Sequence, residues 1–300
     1  MATQRKHGRR VDGVLLLDKP PGISSNAALQ RARRLLEAER AGHTGTLDPM
    51  ASGLLVLCFG EATKFAGELL DAGKSYVATL KLGERTTTGD AEGEIVARRP
   101  ASVAPDQLQR SLGAFRGEIA QIPPMYSALK RDGRPLYEYA RKGVEVERSA
   151  RSVTISSLEL IALKGAEATL AVSCSKGTYV RTLAEDIGNA LGCGAHLIGL
   201  MRTAVGPFRL EQARGLEDLD TWTPEVRAGL LLPPDSLVRD LPAQQLGEGD
   251  EAAFVHGRVV SPVRALPGRI RAYGKGGRFL GLGFGDDQGK LHPKRLVAGA

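Results

Sequence analysis

The apolar positions of this chain switch repeatedly between the two-residue spacing of strands and the wider spacing of helices. Gly13 to Leu17 reads as a short strand, and Lys19-Pro20-Pro21-Gly22 as the rigid turn that ends it. A helix follows, with Ser25 as its N-cap and Ala28, Leu29, Ala32, Leu35 and Leu36 on one face. That leaves Arg31, Arg33, Arg34 and Arg40 toward solvent or a partner. Gly42 to Gly53 has no period. Leu54 to Phe59 is apolar throughout, as in a strand covered on both faces. Thr63 caps a short helix that stops near Gly73, and from Lys74 to Leu82 the side chains alternate, with Tyr76, Ala78, Leu80 and Leu82 on one face.

Glu84 to Glu94 is turn-rich, and Leu108, Leu112 and Phe115 mark an amphipathic helix. Strand-like runs return at Val153 to Leu163 and Ala168 to Ser175, and a helix from about Tyr179 to Leu191 stops at Gly192. Strands and helices alternate irregularly, which predicts an α+β fold: a mixed, mostly antiparallel sheet flanked by helices. Leu230 to Pro242 is proline-rich and aperiodic, as a linker would be. Beyond it, Arg258 to Val260, Ile270 to Tyr273 and Arg278 to Phe284 are short runs separated by Gly and Pro, as in a small β-barrel. The pattern divides the chain into a larger unit over residues 1–232 and a smaller one over 243–300.

With 300 residues and 42% apolar content the chain can bury a sizeable core, which excludes a disordered or fibrous protein. Lys and Arg number 41 against 34 Asp and Glu, a net charge of +7 that suits a polyanionic partner. The N-terminus is basic (Arg5, Lys6, Arg9, Arg10), but the apolar stretch Val14 to Leu17 is too short for a signal peptide. No run approaches the length of a membrane span, so a cytoplasmic protein is expected. Cys58, Cys174 and Cys193 have no paired spacing and read as buried thiols. Cys193 and His196 have a ligand-like gap but no second pair, so no metal is expected.

Chemistry concentrates in Gly42-His43-Thr44-Gly45-Thr46-Leu47-Asp48-Pro49-Met50-Ala51-Ser52-Gly53. Its glycines permit positive φ and close backbone approach, and Pro49 stiffens the chain after Asp48. Taken alone, the segment reads more readily as an Asp-Pro turn whose carboxylate only bonds its own backbone. A second candidate is residues 116–143, where Lys130, Arg131, Arg134, Arg141 and Lys142 are interleaved with Tyr126, Tyr137 and Tyr139. Cations for phosphates beside rings for splayed bases suit an RNA-binding insert, although an ordinary solvated loop has the same composition.

The Asp48 segment, Lys74-Ser75-Tyr76 and Gly177-Thr178-Tyr179-Val180-Arg181-Thr182-Leu183-Ala184-Glu185-Asp186-Ile187-Gly188 together resemble the TruB family of bacterial tRNA pseudouridine synthases. Gly13 to Gly22, Gly60-Glu61-Ala62-Thr63-Lys64 and Pro123 to Lys130 extend the resemblance over nearly the whole chain. The resemblance implies a pseudouridine-synthase fold followed by a small RNA-binding domain of PUA type. It implies an isomerase, an intramolecular transferase acting on uridine 55 in the T-arm stem-loop of tRNA, without a guide RNA.

It further implies that Asp48 is the catalytic carboxylate, that Arg181 pairs with it, and that Tyr76 stacks on the flipped uracil. His43 would occupy or buttress the space the base leaves, and Tyr179 and Leu200 would line the pocket. Lys19, Lys64 and Lys130 fall in family segments as candidates for phosphate or site-shaping contacts. A carboxylate at the sugar can add to C1′, stabilise positive charge there, or remove a ribose proton. Uracil is both leaving group and returning nucleophile, so no cofactor is called for. A monomer is the default expectation.

Overall fold

The computed structural model describes residues 8–261 and 266–299, so Arg5 and Lys6 of the basic N-terminus lie outside the described residues. The larger sheet contains β1 (Gly13–Lys19), β2 (Ala41–His43), β3 (Ser52–Phe59), β4 (Lys74–Leu82), β5 (Gly117–Gln121), β6 (Arg151–Lys164), β7 (Glu167–Cys174), β8 (Ala195–Val205), β9 (Phe208–Arg209) and β10 (Arg214–Gly215). Its path runs β10-β1-β3-β8-β4-β7-β6-β5, with β2 on β3 and β9 on β8. Only β1 with β10 and β3 with β8 pair in parallel. The sheet is therefore mixed and mostly antiparallel, in an α+β fold.

The uninterrupted apolar runs of β1 and β3 follow from burial on both faces. Leu15, Leu17, Leu55 and Leu57 pack under Ala28, Leu29 and Ala32 of the helix Ser25–Leu35. Val14, Leu16, Leu54 and Val56 face the other way, onto Phe65, Leu237 and Val238. Farther along the sheet, Leu108 and Leu112 of the helix Pro105–Gly113 and Val180, Leu183 and Ile187 of the helix Val180–Ala190 cover β4, β6 and β7. Burial of these side chains, each worth roughly 1.5–3 kcal/mol, fixes the helix that carries Arg181 against the strand that carries Tyr76.

Several expectations need correction. Ser24, not Ser25, caps the first helix, accepting from the Ala27 N–H at 3.1 Å. Thr63 lies inside a 3-10 turn, Gly60–Phe65, and donates back to the Gly60 carbonyl. The strand Ala195–Val205, missing from the sequence reading, is central to the sheet. The proline-rich segment expected as a linker contains the 3-10 turn Pro234–Val238, whose Leu237 and Val238 are buried.

The C-terminal residues form β11 (Ala243–Gln245), β12 (Gly268–Tyr273), β13 (Phe279–Gly285) and β14 (Leu291–Leu296) in that spatial order, and Phe254 of the helix Glu248–Val255 is buried in one core with Ile270 and Leu280. No pairing of β11 with β14 closes this sheet among the described residues, so it is open where a barrel was expected. Phe279 packs on Phe65 with ring centroids 5.3 Å apart. Lys64 Nζ donates to the Leu296 carbonyl, and Glu61 Oε2 accepts from the Ala298 N–H at 2.6 Å.

Candidate active site

The loop between β2 and β3 carries Asp48 and is fastened from several sides. Ser25 Oγ bonds both the N–H and the carbonyl of Leu47, at 2.7 and 2.9 Å. The Gly22 N–H donates to the Pro49 carbonyl at 2.8 Å. Lys19 Nζ donates to the carbonyls of Pro20, Ile23 and Pro49 at 2.8, 2.7 and 3.4 Å. Lys19 is fully buried, and burial lowers its pKa to about 8 despite the nearby Asp48. Its contacts here are all with backbone carbonyls around the Asp48 loop.

Arg181 stands in the first turn of its helix and reaches across to that loop. Its Nε lies 3.1 Å from Asp48 Oδ2, so two residues 133 positions apart in the sequence meet. The rest of the fork is also engaged: Nη1 faces Asp90 Oδ2 at 3.6 Å and the Thr88 carbonyl at 3.4 Å, and Nη2 donates to the Tyr126 carbonyl at 2.7 Å. Burial pushes the Asp48 carboxyl above its usual range; Arg181 opposes that rise and Asp90 adds to it. Asp90, nearly inaccessible, was missed in the sequence because an acidic residue in a turn-rich segment has no periodic signal.

Asp48, Arg181, Tyr76, Tyr179 and Leu200 line one cavity of about 280 Å³. Tyr76 arrives on β4, Leu200 on β8, and Tyr179 immediately before the Arg181 helix. Gln121 brackets the Tyr179 backbone, accepting from its N–H at 3.1 Å and donating to its carbonyl at 3.3 Å. Burial raises the Tyr76 phenol pKa, and the adjacent Arg202 guanidinium pulls it back. Arg202, also on the cavity wall and 1% exposed, is the second residue the sequence reading missed.

His43 ends β2, opposite Leu57 on β3, and does not line the cavity itself. Burial and then the Arg202 charge lower its pKa, which keeps the ring neutral at neutral pH, and its buried Nδ1 has no hydrogen-bond partner among the described residues. Lys64 does not line the cavity and binds Glu61 Oε2 at 2.7 Å and the Leu296 carbonyl at 2.9 Å. These contacts make Lys64 a clasp on the C-terminal sheet. Lys130 is exposed on a short hairpin of residues 116–143, while Ser127 and Ala128 of that segment reach the cavity. His196 Nδ1 contacts the Glu84 carbonyl and Cys193 the Gly194 carbonyl. Among the described residues no group of three or more His, Cys, Asp or Glu is placed to hold a metal.

The sheet thus brings a carboxylate, a guanidinium and a tyrosine to one cavity, and comparison with known proteins places the chain. Residues 33–180 match the model of the TruB family pseudouridylate synthase N-terminal domain, 181–239 a tRNA pseudouridylate synthase B C-terminal domain, and 242–297 the C-terminal domain of pseudouridine synthase II TruB. A protein of Aromatoleum aromaticum named tRNA pseudouridine synthase B is 57% identical over 98% of this chain and 96% of its own length. One of the same name from Azoarcus sp. (strain BH72) is 58% identical over 98% of each. Among solved structures, a chain of a Cbf5-Nop10-Gar1 complex superposes with a TM-score of 0.74 at 28% identity, covering 95% of this chain and 84% of that one. A chain of an H/ACA RNP bound to a substrate RNA containing 2′-deoxyuridine gives 0.72 at 25% identity, covering 98% and 91%.

The chain belongs to the TruB family of pseudouridylate synthases. Among the described residues no helix is long and apolar enough to cross a membrane.

Proposed function

We propose that this chain isomerises uridine 55 in the T-arm loop of tRNA to pseudouridine, as a cytoplasmic monomer that needs neither guide RNA nor cofactor. The observation that carries the reading is the Asp48–Arg181 ion pair of 3.1 Å on the wall of a cavity that Tyr76 shares. The target base lies within a folded loop and has to be turned out of its stack before any residue reaches C1′. Tyr76 then stacks on the uracil while Tyr179 and Leu200 confine it. Asp48 acts at the sugar as the bond from N1 to C1′ breaks, and the base turns and rejoins through C5, releasing the C5 proton. Burial raises the Asp48 carboxyl above its usual range, and the guanidinium of Arg181 opposes that rise and aims the group. His43, behind the Asp48 loop, buttresses the space the base vacates.

In this reading residues 1–232 are the catalytic unit, with residues 116–143 as an RNA-gripping insert that includes Lys130. Residues 243–300 are a PUA-like RNA-binding unit. The relatives named tRNA pseudouridine synthase B support tRNA as the substrate. The test is tritium release from a C5-tritiated tRNA transcript with the purified chain and no other RNA. Stoichiometric release is expected, abolished when position 55 is cytidine; release that persists with cytidine 55 contradicts the reading.

A further inference from the structure

Arg202 is the largest fully buried side chain of the described residues, and none of the ion pairs among them includes it. A buried cation without a carboxylate is costly to desolvate, so what it touches matters. Its Nε donates to the Leu54 carbonyl at 2.7 Å and its Nη2 to the Gly45 carbonyl at 3.2 Å. Those carbonyls stand at either end of the loop that carries Asp48. The same residue is in register with Gly53 on β3 and with Tyr76 on β4, so the side chains of Arg202 and Tyr76 are cross-strand neighbours. Its charge is felt at the Tyr76 hydroxyl, whose ionisation it favours against burial.

We propose that Arg202 is a positioning residue for the isomerisation: its fork staples the two ends of the Asp48 loop while its charge fixes the Tyr76 phenol, so that carboxylate and phenol keep one geometry about the uracil. Lysine, a single ammonium on a flexible stem, cannot span both carbonyls and the phenol. The inference rests on the reading of Asp48 and Tyr76 given above.

The test compares single-turnover tritium release from C5-tritiated tRNA, tRNA affinity and thermal unfolding for wild type, Arg202→Lys, Tyr76→Phe and the double variant. Arg202→Lys is expected to stay folded and bind tRNA within about two-fold of wild type, and to lose rate on the order of 10²-fold, as misplacement of a reacting group does. Because Arg202 acts partly through the phenol, the two losses are expected to be less than multiplicative. A wild-type rate in Arg202→Lys, or fully multiplicative losses, overturns the proposal. If Tyr76→Phe has no measurable rate, the 13Cζ resonance of Tyr76 at constant pH decides: displaced in Arg202→Lys it supports the staple, unmoved it refutes it. Asp48→Asn is run alongside; undiminished release there defeats the reading of the site itself, an outcome distinct from failure at Arg202.

Discussion

A Cβ added to Gly53 would lie 2.4 Å from the carbonyl oxygen of Arg202 and 2.8 Å from its backbone nitrogen. Gly53 also sits at φ +96, a conformation that side-chain-bearing residues rarely adopt. The last glycine of the Asp48 segment therefore lets β3 run hard against β8 where Arg202 enters. Gly53→Ala is expected to destabilise the fold by on the order of 2–4 kcal/mol, because neither the backbone contact nor the angle can relax cheaply. Chemical denaturation measures it; a loss within the ordinary surface range of about 0.5 kcal/mol contradicts the packing account.

Arg181 divides its fork between Asp48, Asp90 and two backbone carbonyls, which a lysine cannot reproduce. Arg181→Lys is expected to lower the single-turnover rate by roughly 10²-fold or more while tRNA affinity stays near wild type. The pH profile carries a sign. Burial already raises the Asp48 pKa above its usual 3.8 and Arg181 restrains it, so a poorer cation lets it rise further. The acid limb of the rate profile therefore moves to higher pH in Arg181→Lys; an unmoved or lowered limb contradicts the role assigned to the ion pair.

Glu61 clasps the C-terminal sheet through the Ala298 N–H and through Lys64. Burial would raise its carboxyl pKa, but Lys64 and the Ala298 N–H outweigh that and hold it below the usual 4.5. A depressed carboxylate stabilises the folded state above its unfolded pKa, and the contribution fades as pH falls through the folded one. Glu61→Gln is thus expected to cost about 1–3 kcal/mol at pH 7. The gap from wild type should close as the pH drops below 4.5. A gap that widens in acid would refute the sign.

Exposed cations of residues 116–143 are assigned to the RNA backbone, so tRNA affinity should fall as salt rises. Lys130→Ala is expected to weaken binding and flatten the dependence of log affinity on log salt by about 1, with little change in the rate of bound tRNA. Equilibrium binding across a salt series checks it; an unchanged slope removes Lys130 from the interface.

The segments whose signal is local were legible in the sequence. The alternation of Lys74 to Leu82 marks β4 to the residue, and the spacing of Val180, Leu183 and Ile187 marks the Arg181 helix within one position at each end. What failed depends on distant partners. Ala195 to Val205 has a glycine and an arginine within an apolar stretch, so it has neither clean alternation nor a continuous apolar run. Arg202 is buried only because Leu54 and Gly45, about 150 positions earlier in the chain, supply carbonyls. Leu237 and Val238 look like linker residues among prolines, and they are buried because β1, β3 and Phe65 leave an apolar face to cover. The helix Glu248–Val255 begins with acidic residues and shows no apolar stripe long enough to announce itself.

The same distinction runs through the candidate site. Asp48, Tyr76 and Arg181 stand in segments with a family resemblance, and the fold brings them to one cavity. Lys19 and Lys64 stand in such segments too, yet their side chains serve the Asp48 loop and the C-terminal clasp. A motif fixes where a residue falls along the chain, and only tertiary packing decides whether its side chain faces solvent, a cavity or a carbonyl.

Asp48→Asn keeps the side chain's size and removes its charge, and so separates the carboxylate's action on the nucleotide from its place in the fold. With C5-tritiated tRNA under single-turnover conditions, the variant is expected to bind with wild-type affinity and release no tritium. Release at the wild-type rate would contradict the account.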